Sequence, residues 1–467
     1  MYSEKNSVNS RYLILISLIA GMGGYLFGYD WVVIGGAKAF YEVYFSITDI
    51  PWLQGWVMSS ALLGCLIGVV ISGGLSDKYG RRFMMVLASV IFALSAFGTG
   101  AAQAINQFIL FRIISGVGIG IASNISPMYL SEVSPPAVRG KFVAIYQLAI
   151  VLGILSAQIA NWLIAKPVIP GEDILNSWNG QMGWRWMFWA PAFPAIAYLL
   201  LSFIVPESPR WLISKTRYDK ATDIFSKIVN RKYAIQLVEE VKKTTQETAV
   251  KVKLSVLFKG KTLRIAMIGI VIAILQQWCG INVVFNYAQE IFEAAGYGVS
   301  DMLFNIVVTG VVNVIFTFVG MYTVDRLGRR SLMLLGTIGL SVIYVVLGAG
   351  YYFRLEGMIM LIVVVLGIAC YAMTLAPVTW IVISEIFPTR IRAKGMAAST
   401  FFLWTASFVL TYTFPLLNSS LGAYGTFWLY GLICAAGFLF IRKNLPETKG
   451  KTLEEIEEII TNNRHNK

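Results

Sequence analysis

Two ionisable side chains lie inside apolar stretches of the sequence, where a charge is costly. Asp30 separates the segments GMGGYLFGY and WVVIGG, and Arg112 lies at the start of the run FRIISGVGIG. A buried charge costs less when it is paired, so we expect an ion pair. Burial favours the neutral form of an acid and a guanidinium favours its charged form, so the pair can bind and release a proton. We predict that Asp30 is the proton-coupling site, that Arg112 tunes it, and that no other buried acid competes with it.

Another apolar stretch, LQQWCGINVVFNYAQE, is unusually rich in polar side chains around Gly280. Its polar residues are Gln276, Gln277, Asn282, Asn286 and Tyr287. A stretch this polar is expected to be locally broken, which a membrane tolerates where the backbone lines a cavity. Amides offer both donors and acceptors to hydroxyl groups. Packing between helices is the weaker alternative, because so many amides are clustered.

Other polar groups are more ambiguous. Gln147, Ile154 and Gln158 are separated by seven and four residues and return to one helical face. Lining of a cavity and hydrogen bonding between helices both stay open for this face. Trp380 and Trp404 lie several residues inside their runs, where an indole can offer an apolar face and one donor to a ligand. The alternative is an interfacial belt.

The cysteines and the histidine argue against other chemistries. His465, in a polar tail, is the only histidine, which excludes a histidine triad, a zinc site or a histidine relay within the spans. The cysteines are widely spaced in apolar runs and predict neither disulfides nor a metal site. They are Cys65, Cys279, Cys370 and Cys434. We therefore expect no enzyme and no cofactor, with a proton as the coupling ion.

Glycine-rich segments do not predict nucleotide binding. A phosphate-binding loop has a second glycine five residues before the glycine of its GKT. In FKGKT that position, before Gly260, is Ser255, and before the GKT at Gly450 it is Leu445. GVGIG follows no strand and is better explained by close helix packing. We therefore do not expect ATP-driven pumping.

Composition identifies a membrane protein. The 467 residues are 57% hydrophobic and 13% charged, with a mean hydropathy of +0.68. Apolar runs of about 20 residues, long enough to cross a bilayer, number twelve. We place them near residues 12 to 36, 53 to 75, 83 to 104, 107 to 130, 141 to 165, 185 to 205, 263 to 292, 301 to 324, 331 to 353, 357 to 384, 395 to 416 and 423 to 441.

The net charge of +13 is explained by topology rather than by nucleic-acid binding, because Lys and Arg collect in alternate loops. The intervening loops hold only Lys38, Lys166, Arg185 and Arg354. Both termini and the central loop are therefore expected in the cytoplasm. The first run continues through Asp30 without a cleavage site, so we expect a first span rather than a cleaved signal peptide.

The chain also reads as a duplication. GGLSDKYGRR at 73 to 82 resembles MYTVDRLGRR at 321 to 330, EVSPPAVRGK resembles SEIFPTRIRAKG, and PESPRWL resembles PETKG. Three pairs in one order predict two similar sets of spans, as in secondary transporters. We predict six-helix halves at 1 to 205 and 263 to 445, a linker at 206 to 262 and a tail at 446 to 467.

Two polar segments are expected to be helical. In the linker, apolar residues at helical spacing predict amphipathic helices against the cytoplasmic ends of the bundle. These residues are Ala221, Ile224, Phe225, Ile228 and Val229. In the tail, TKGKTLEEIEEII has a capping pair of Thr452 and Glu455 and predicts a short cytoplasmic helix.

Over nearly its whole length the sequence resembles the sugar porter branch of the major facilitator superfamily. GYLFGYD, GGLSDKYGRR, RGKFVAIYQLA, PESPRWL, QQWCGIN, VDRLGRR, SEIFP and PETKGKTLEE occur in the family's order. The closest likeness is to bacterial proton-coupled xylose transporters, with glucose facilitators more distant. The resemblance implies an all-α fold of twelve transmembrane helices in two pseudo-symmetric halves around a central sugar site.

The resemblance also assigns residues. It implies that sugar contacts Gln147, Gln276, Gln277, Asn282, Asn313, Trp380 and Trp404. It further implies a cytoplasmic latch in the outward-facing state, made of Asp77 with Arg81 and Arg82, Glu132 with Arg139, Asp325 with Arg329 and Arg330, and Glu385 with Arg392. The chain departs from the pattern at Ile154, Asn286, Ala376 and Leu403, which leaves the preferred sugar open.

The expected function is proton symport of a neutral monosaccharide, hexose or pentose, across a bacterial inner membrane by a monomer. A passive uniporter on the same fold is the nearest alternative, and Asp30 argues against it because glucose facilitators have a neutral residue there. A non-transporting sugar sensor is a further alternative, for which the tail after Pro446 is short.

Overall fold

The computed structural model describes residues 9–136, 138–168, 173–247, 256–257, 260–388 and 391–449, with residues 455, 459 and 460. The described part is helical and contains no strand. The predicted tail helix lies largely outside these residues. The all-helical fold expected from the apolar runs is confirmed.

The long helices of the first part follow the predicted spans. They are α1 (Ser10–Tyr44), α2 (Pro51–Tyr79), α3 (Arg81–Ala101), α4 (Ile105–Val133) and α5 (Arg139–Ile164). Helix α1 runs eight residues past the predicted end at 36. Lys38, which we expected in a loop, therefore lies inside a helix, where its charge is offset by Glu42 of the same helix and by Glu290.

The sixth predicted span and the linker consist of shorter helices. They are α6 (Trp184–Trp189), α7 (Ala192–Ser202), α8 (Pro209–Ser214), α9 (Tyr218–Ile228) and α10 (Arg231–Glu247). The apolar face predicted for the linker is confirmed, since Ala221, Phe225, Ile228 and Val229 are all buried. Burial of this face, rather than helix propensity, holds such short helices in place.

The remaining spans are broken more often. They are α11 (Gly260–Trp278), α12 (Ile281–Asn286), α13 (Ala288–Glu293), α14 (Val299–Leu327), α15 (Arg329–Tyr352), α16 (Met358–Met373), α17 (Leu375–Ile386) and α18 (Arg392–Asn444). Thr374 separates α16 from α17, and Pro377 follows in the first turn of α17, where proline is tolerated. The predicted span at 357 to 384 is therefore two helices.

Among the residues that the structure describes, ten helical segments are long and apolar enough to cross a membrane. One of them, Lys394–Asn444, is 51 residues long and is divided by Gly422, whose φ of 68° is not helical. It covers the two last predicted spans. The sixth predicted span is shared by α6 and α7, which are individually too short to count. With these two adjustments the ten segments match the twelve predicted spans.

Contacts divide the chain into two compact units. One contains Met1–Trp31, Leu63–Ala157 and Phe188–Lys251, and in it α3 packs against α4 and α7. The other contains Val32–Leu62, Gln158–Met187 and Val252–Lys467, and in it α18 packs against α11 and α15 while α14 packs against α16. The two six-helix halves stay a prediction.

Candidate functional site

Asp30 and Arg112 form a buried ion pair between α1 and α4. The Arg112 Nη1 donates to Asp30 Oδ2 at 2.9 Å, and both terminal nitrogens approach the Asp30 carbonyl at 3.4 Å. Arg112 is 2% exposed and Asp30 is 8% exposed. The guanidinium also lies 5.8 Å from the centre of the Phe188 ring. The expected pairing is present, and it compensates two charges that would each be costly if buried alone.

Close packing of the backbone positions this pair. A Cβ on Gly28, two residues before Asp30, would collide with the Ile150 carbonyl of α5. A Cβ on Gly120 of α4 would collide with the Cys65 carbonyl of α2. Glycines therefore bring α1 against α5 and α4 against α2 at distances that a side chain would prevent. The GVGIG run serves helix packing, as predicted.

The amides of the seventh predicted span form a connected chain in the second unit. Gln276 Nε2 donates to the Tyr371 hydroxyl at 2.7 Å, and Gln277 Nε2 donates to Gln276 Oε1 at 2.6 Å. Asn282 Nδ2 donates in turn to Gln277 Oε1. All three amides are buried. Such a chain can exchange its internal hydrogen bonds for bonds to the hydroxyl groups of a ligand without leaving polar groups unpaired.

The backbone is broken at both ends of α12. Gly280 has a φ of +83°, which glycine adopts without strain, and it separates α11 from α12. Tyr287 separates α12 from α13 and is anchored by its hydroxyl, which donates to the Thr411 carbonyl at 2.7 Å. The predicted break in this span is confirmed. The six-residue α12 thus carries Asn282 and Asn286 between two hinges.

The other predicted sugar contacts lie on four different helices. Asn313 on α14 and Trp404 on α18 are buried, whereas Trp380 on α17 is 38% exposed. Gln147 on α5 is half-buried and belongs to the compact unit that contains Asp30 and Arg112. The sugar-binding roles of these residues stay predictions.

The first charge cluster, defined by Arg81, Glu132 and Glu207, joins α3 to α4. Arg81 Nε and Nη2 donate to the two oxygens of Glu132, each at 3.0 Å. Glu207 Oε1 accepts the backbone N–H of Arg81 at 2.8 Å, so it caps the start of α3. Asp77 approaches Arg81 at 3.4 Å, and Arg82 donates to the Phe203 carbonyl at 2.5 Å. Burial raises the pKa of the Glu207 carboxyl, although the backbone donors oppose this.

The second charge cluster, defined by Arg329, Glu385 and Glu447, has the same plan. Arg329 Nη2 donates to Glu385 Oε1 at 3.3 Å, and Glu447 Oε1 accepts the Arg329 N–H at 2.9 Å. Arg330 donates to the Arg442 carbonyl at 2.8 Å, and Thr448 donates to Glu385 at 2.6 Å. The two copies predicted from the sequence therefore make corresponding hydrogen bonds in the two charge clusters.

Three predicted latch residues remain. Arg139 and Arg392 begin α5 and α18, so they occupy corresponding places, and Arg392 Nε donates to the Phe387 carbonyl at 3.3 Å. The side chain of Asp325 lies outside what the structure describes. Glu132 and Glu385 are bonded to Arg81 and Arg329 in this structure.

Sequence reasoning missed several members of these sites. Glu207 and Glu447 lie in the repeated PES and PET segments, where the repeat was the available signal. Tyr371 was hidden in an apolar run. Our expectation that no other buried acid competes with Asp30 was wrong, because Glu42 is 3% exposed. Lys38 offsets its charge, and the spacing of four residues between Lys38 and Glu42 was the available signal once the helix was known to extend this far.

Membrane-length helices throughout the described part of the chain, spans broken at glycine and threonine, and a buried acid–arginine pair define a secondary transporter with the major facilitator fold. The model of the family described as Sugar (and other) transporter matches residues 16–460. The chain belongs to this family.

Individual relatives cover almost the whole chain. The arabinose-proton symporter of Bacillus subtilis is 37% identical over 96% of this chain and 95% of its own length. The D-xylose-proton symporter of Escherichia coli is 36% identical over 96% of each chain. The inward open structure of the E. coli xylose transporter XylE superimposes with a TM-score of 0.84 and 33% identity, over 96% of this chain and all of that one.

Proposed function

We propose that this protein imports a neutral monosaccharide together with protons by alternating access. The buried pair of Asp30 and Arg112 carries the proposal, because an acid that a single arginine neutralises in an apolar span can switch between charged and neutral forms. Relatives named as proton symporters of arabinose and xylose support it. A proton is the coupling ion, and no cofactor is involved.

Replacement of the acid tests the symport. Asp30→Asn keeps the shape of the side chain and removes its titration, so uphill accumulation of sugar in proteoliposomes should be abolished under an imposed pH gradient. Exchange of labelled sugar without a gradient should persist. Asp49→Asn, which makes the same change at an exposed acid, is the matched control. Accumulation by the Asp30→Asn variant against its gradient would overturn the proposal, and wild-type protein that never accumulates sugar would indicate a uniporter.

The sugar is bound by the amide chain of the second unit, with further contacts from Asn313, Trp380 and Trp404 of the same unit. The support is that Gln276, Gln277 and Asn282 are buried and already connected. Loss of one amide leaves sugar hydroxyls or neighbouring amides unpaired. Gln277→Ala should therefore weaken sugar binding by about 1 to 3 kcal/mol, measured by calorimetry on purified protein, and Gln236→Ala on the surface of α10 should not.

The protein acts as a monomer in a bacterial inner membrane, with both termini and the linker in the cytoplasm. The support is the collection of Lys and Arg in alternate loops, the usual signature of the cytoplasmic side. The two charge clusters are then cytoplasmic and act as a latch between conformations. Cysteine labelling from each side of the membrane at Lys78 and Arg354 tests this orientation.

A further inference from the structure

A second group of buried charges lies on α1, beyond Asp30. Lys38 and Glu42 are one helical turn apart and are 2% and 3% exposed. Lys38 Nζ lies 2.9 Å from Glu42 Oε2 and 2.6 Å from Glu290 Oε1 of α13. These three residues are called the Lys38 cluster. Gln54 Nε2 of α2 adds a bond to Glu42 Oε2 at 3.2 Å.

The Lys38 cluster holds two carboxylates on one ammonium. Its titratable neighbours are Tyr41 on α1, Tyr287 with its ring centre 5.8 Å from Lys38 Nζ, and Glu293 one turn along α13. Glu293 adds further negative charge. With both of its acids ionised, the cluster carries one surplus negative charge, at a site where Lys38 and Glu42 are buried and the Glu290 side chain is 22% exposed.

Each acid of the cluster also has one oxygen that its neighbours leave unsatisfied. Glu42 Oε1 and Glu290 Oε2 are buried and have no hydrogen-bond partner among the described residues. A buried carboxylate oxygen without a donor is costly, and two carboxylates that share one site resist joint ionisation. A single proton removes the surplus charge and supplies the missing donor.

We propose that Glu42 and Glu290 share one proton beside Lys38, which makes the Lys38 cluster a second proton site that positions α12 and α13. The proposal rests on the proposed function for its role in transport, but the proton site itself does not. The proton belongs to the pair of acids rather than to either one.

The contacts connect this proton to the sugar site. Glu290 lies on α13, and α13 continues through Tyr287 into α12, which carries Asn282 and Asn286. The Lys38 cluster fixes α13 against α1, so it also fixes where α12 presents its amides. Loss of the shared proton restores repulsion between Glu42 and Glu290, which displaces α13 and weakens the sugar site.

Infrared spectroscopy tests the shared proton on the full chain in detergent. The C=O band of a protonated, buried carboxylic acid should be present at neutral pH in wild-type protein and in the Asp30→Asn variant. Glu42→Gln and Glu290→Gln should each abolish it, because the remaining acid is then ionised by Lys38. Glu293→Gln, an exposed acid on the same helix, should retain it. A band that is absent from the Asp30→Asn variant, or that survives when Glu42→Gln or Glu290→Gln is added to Asp30→Asn, overturns the proton site.

Sugar affinity tests the positioning role. The affinity of the wild type for sugar should fall over the pH range in which the carboxylic-acid band disappears. The sugar affinity of Glu42→Gln should not change over that range. Equal pH profiles in the two proteins would overturn the role of the Lys38 cluster in positioning α12. The Glu42→Gln variant should still accumulate sugar against its gradient, because Asp30 is intact. Loss of accumulation in the wild type would contradict the proposed symport, whereas the pH profiles of sugar affinity test the Lys38 cluster.

Discussion

The two charge clusters share a backbone arrangement and differ in their side-chain contacts. Gly80 and Gly328 have φ values of 95° and 86°, and each directly precedes a helix. A glutamate from a later segment, Glu207 or Glu447, accepts the first backbone N–H groups of that helix. A carboxylate at a helix N-terminus is stabilised by the helix dipole as well as by these bonds.

The ion pairs are unequal. Arg81 meets Glu132 through two parallel bonds at 3.0 Å, whereas Arg329 approaches Glu385 through Nη2 at 3.3 Å. Their side chains are 10% and 13% exposed in the first cluster and 14% and 26% exposed in the second. Paired, buried bonds are stronger and are screened less by water. The two copies therefore share the helix cap and differ in the ion pair. We expect the ion pair of the first cluster to be the stronger one.

The largest effect is expected for Arg81→Gln, because this change leaves the Glu132 carboxylate largely buried without its cation. Breaking a buried pair in this way costs about 3 to 5 kcal/mol. The melting temperature of the purified protein should fall and transport should slow, while sugar affinity stays nearly unchanged because Arg81 lies on α3, outside the unit that contains the amide chain. A large loss of affinity with normal turnover would contradict this prediction.

Alanine at the two positive-φ glycines should test the part that the clusters share. The backbone at Gly80 and Gly328 lies in a region that is essentially reserved for glycine, and a Cβ there would collide with Glu207 or Glu447. Each substitution should destabilise the protein by about 1 to 3 kcal/mol. Gly74→Ala, with nothing near its Cβ, is the control in thermal unfolding. A strong effect at only one of the two glycines would break the symmetry of the caps.

Arg329→Gln should have a smaller effect than Arg81→Gln, since its ion pair is longer and more exposed. We expect a loss of about 1 kcal/mol, near the upper end for exposed pairs. Double-mutant cycles with Glu132→Gln and Glu385→Gln measure the two coupling energies directly. Equal couplings in the two clusters would remove the difference inferred from the geometry.

Much of the fold was predictable because its signals are local. Length and hydropathy located the spans, and Gly280 among clustered amides located a break that the structure confirms. Other bounds were wrong where a charge was mistaken for a loop. Lys38 is the clear case, because its partner Glu290 is 252 residues away in the sequence and cannot be read from its neighbours.

The sequence indicated many of the residues that form the sites, but fewer of the contacts between them. The pairing of Asp30 with Arg112 followed from the cost of isolated buried charges. The bond between Gln276 and Tyr371 spans 95 residues and depends on how α11 meets α16. The caps made by Glu207 and Glu447 depend likewise on tertiary packing, although the repeated PES and PET segments marked their positions.

The smallest effect concerns the pH dependence of the first cluster. Burial raises the pKa of Glu207 above its ordinary value of 4.5, and the backbone N–H groups of Ser208 and Arg81 oppose the shift. Between 4.5 and the raised value, the folded chain binds more protons than the unfolded chain. The free energy of unfolding therefore falls as pH rises through this window.

Glu207→Gln removes this titration, so wild-type protein should lose thermal stability relative to the variant as pH rises through the window. Above the raised pKa the difference should become constant, because Glu207 is then ionised in both the folded and the unfolded chain. Ser214→Ala, which changes a hydroxyl on α8 and no titrating group, should run parallel to the wild type at every pH. A difference between wild type and Glu207→Gln that is constant over the whole range would show that the backbone donors balance burial, and a slope in the other direction would show that they outweigh it. In either case the cap of the first cluster would stabilise the ionised Glu207 side chain at least as well as water does.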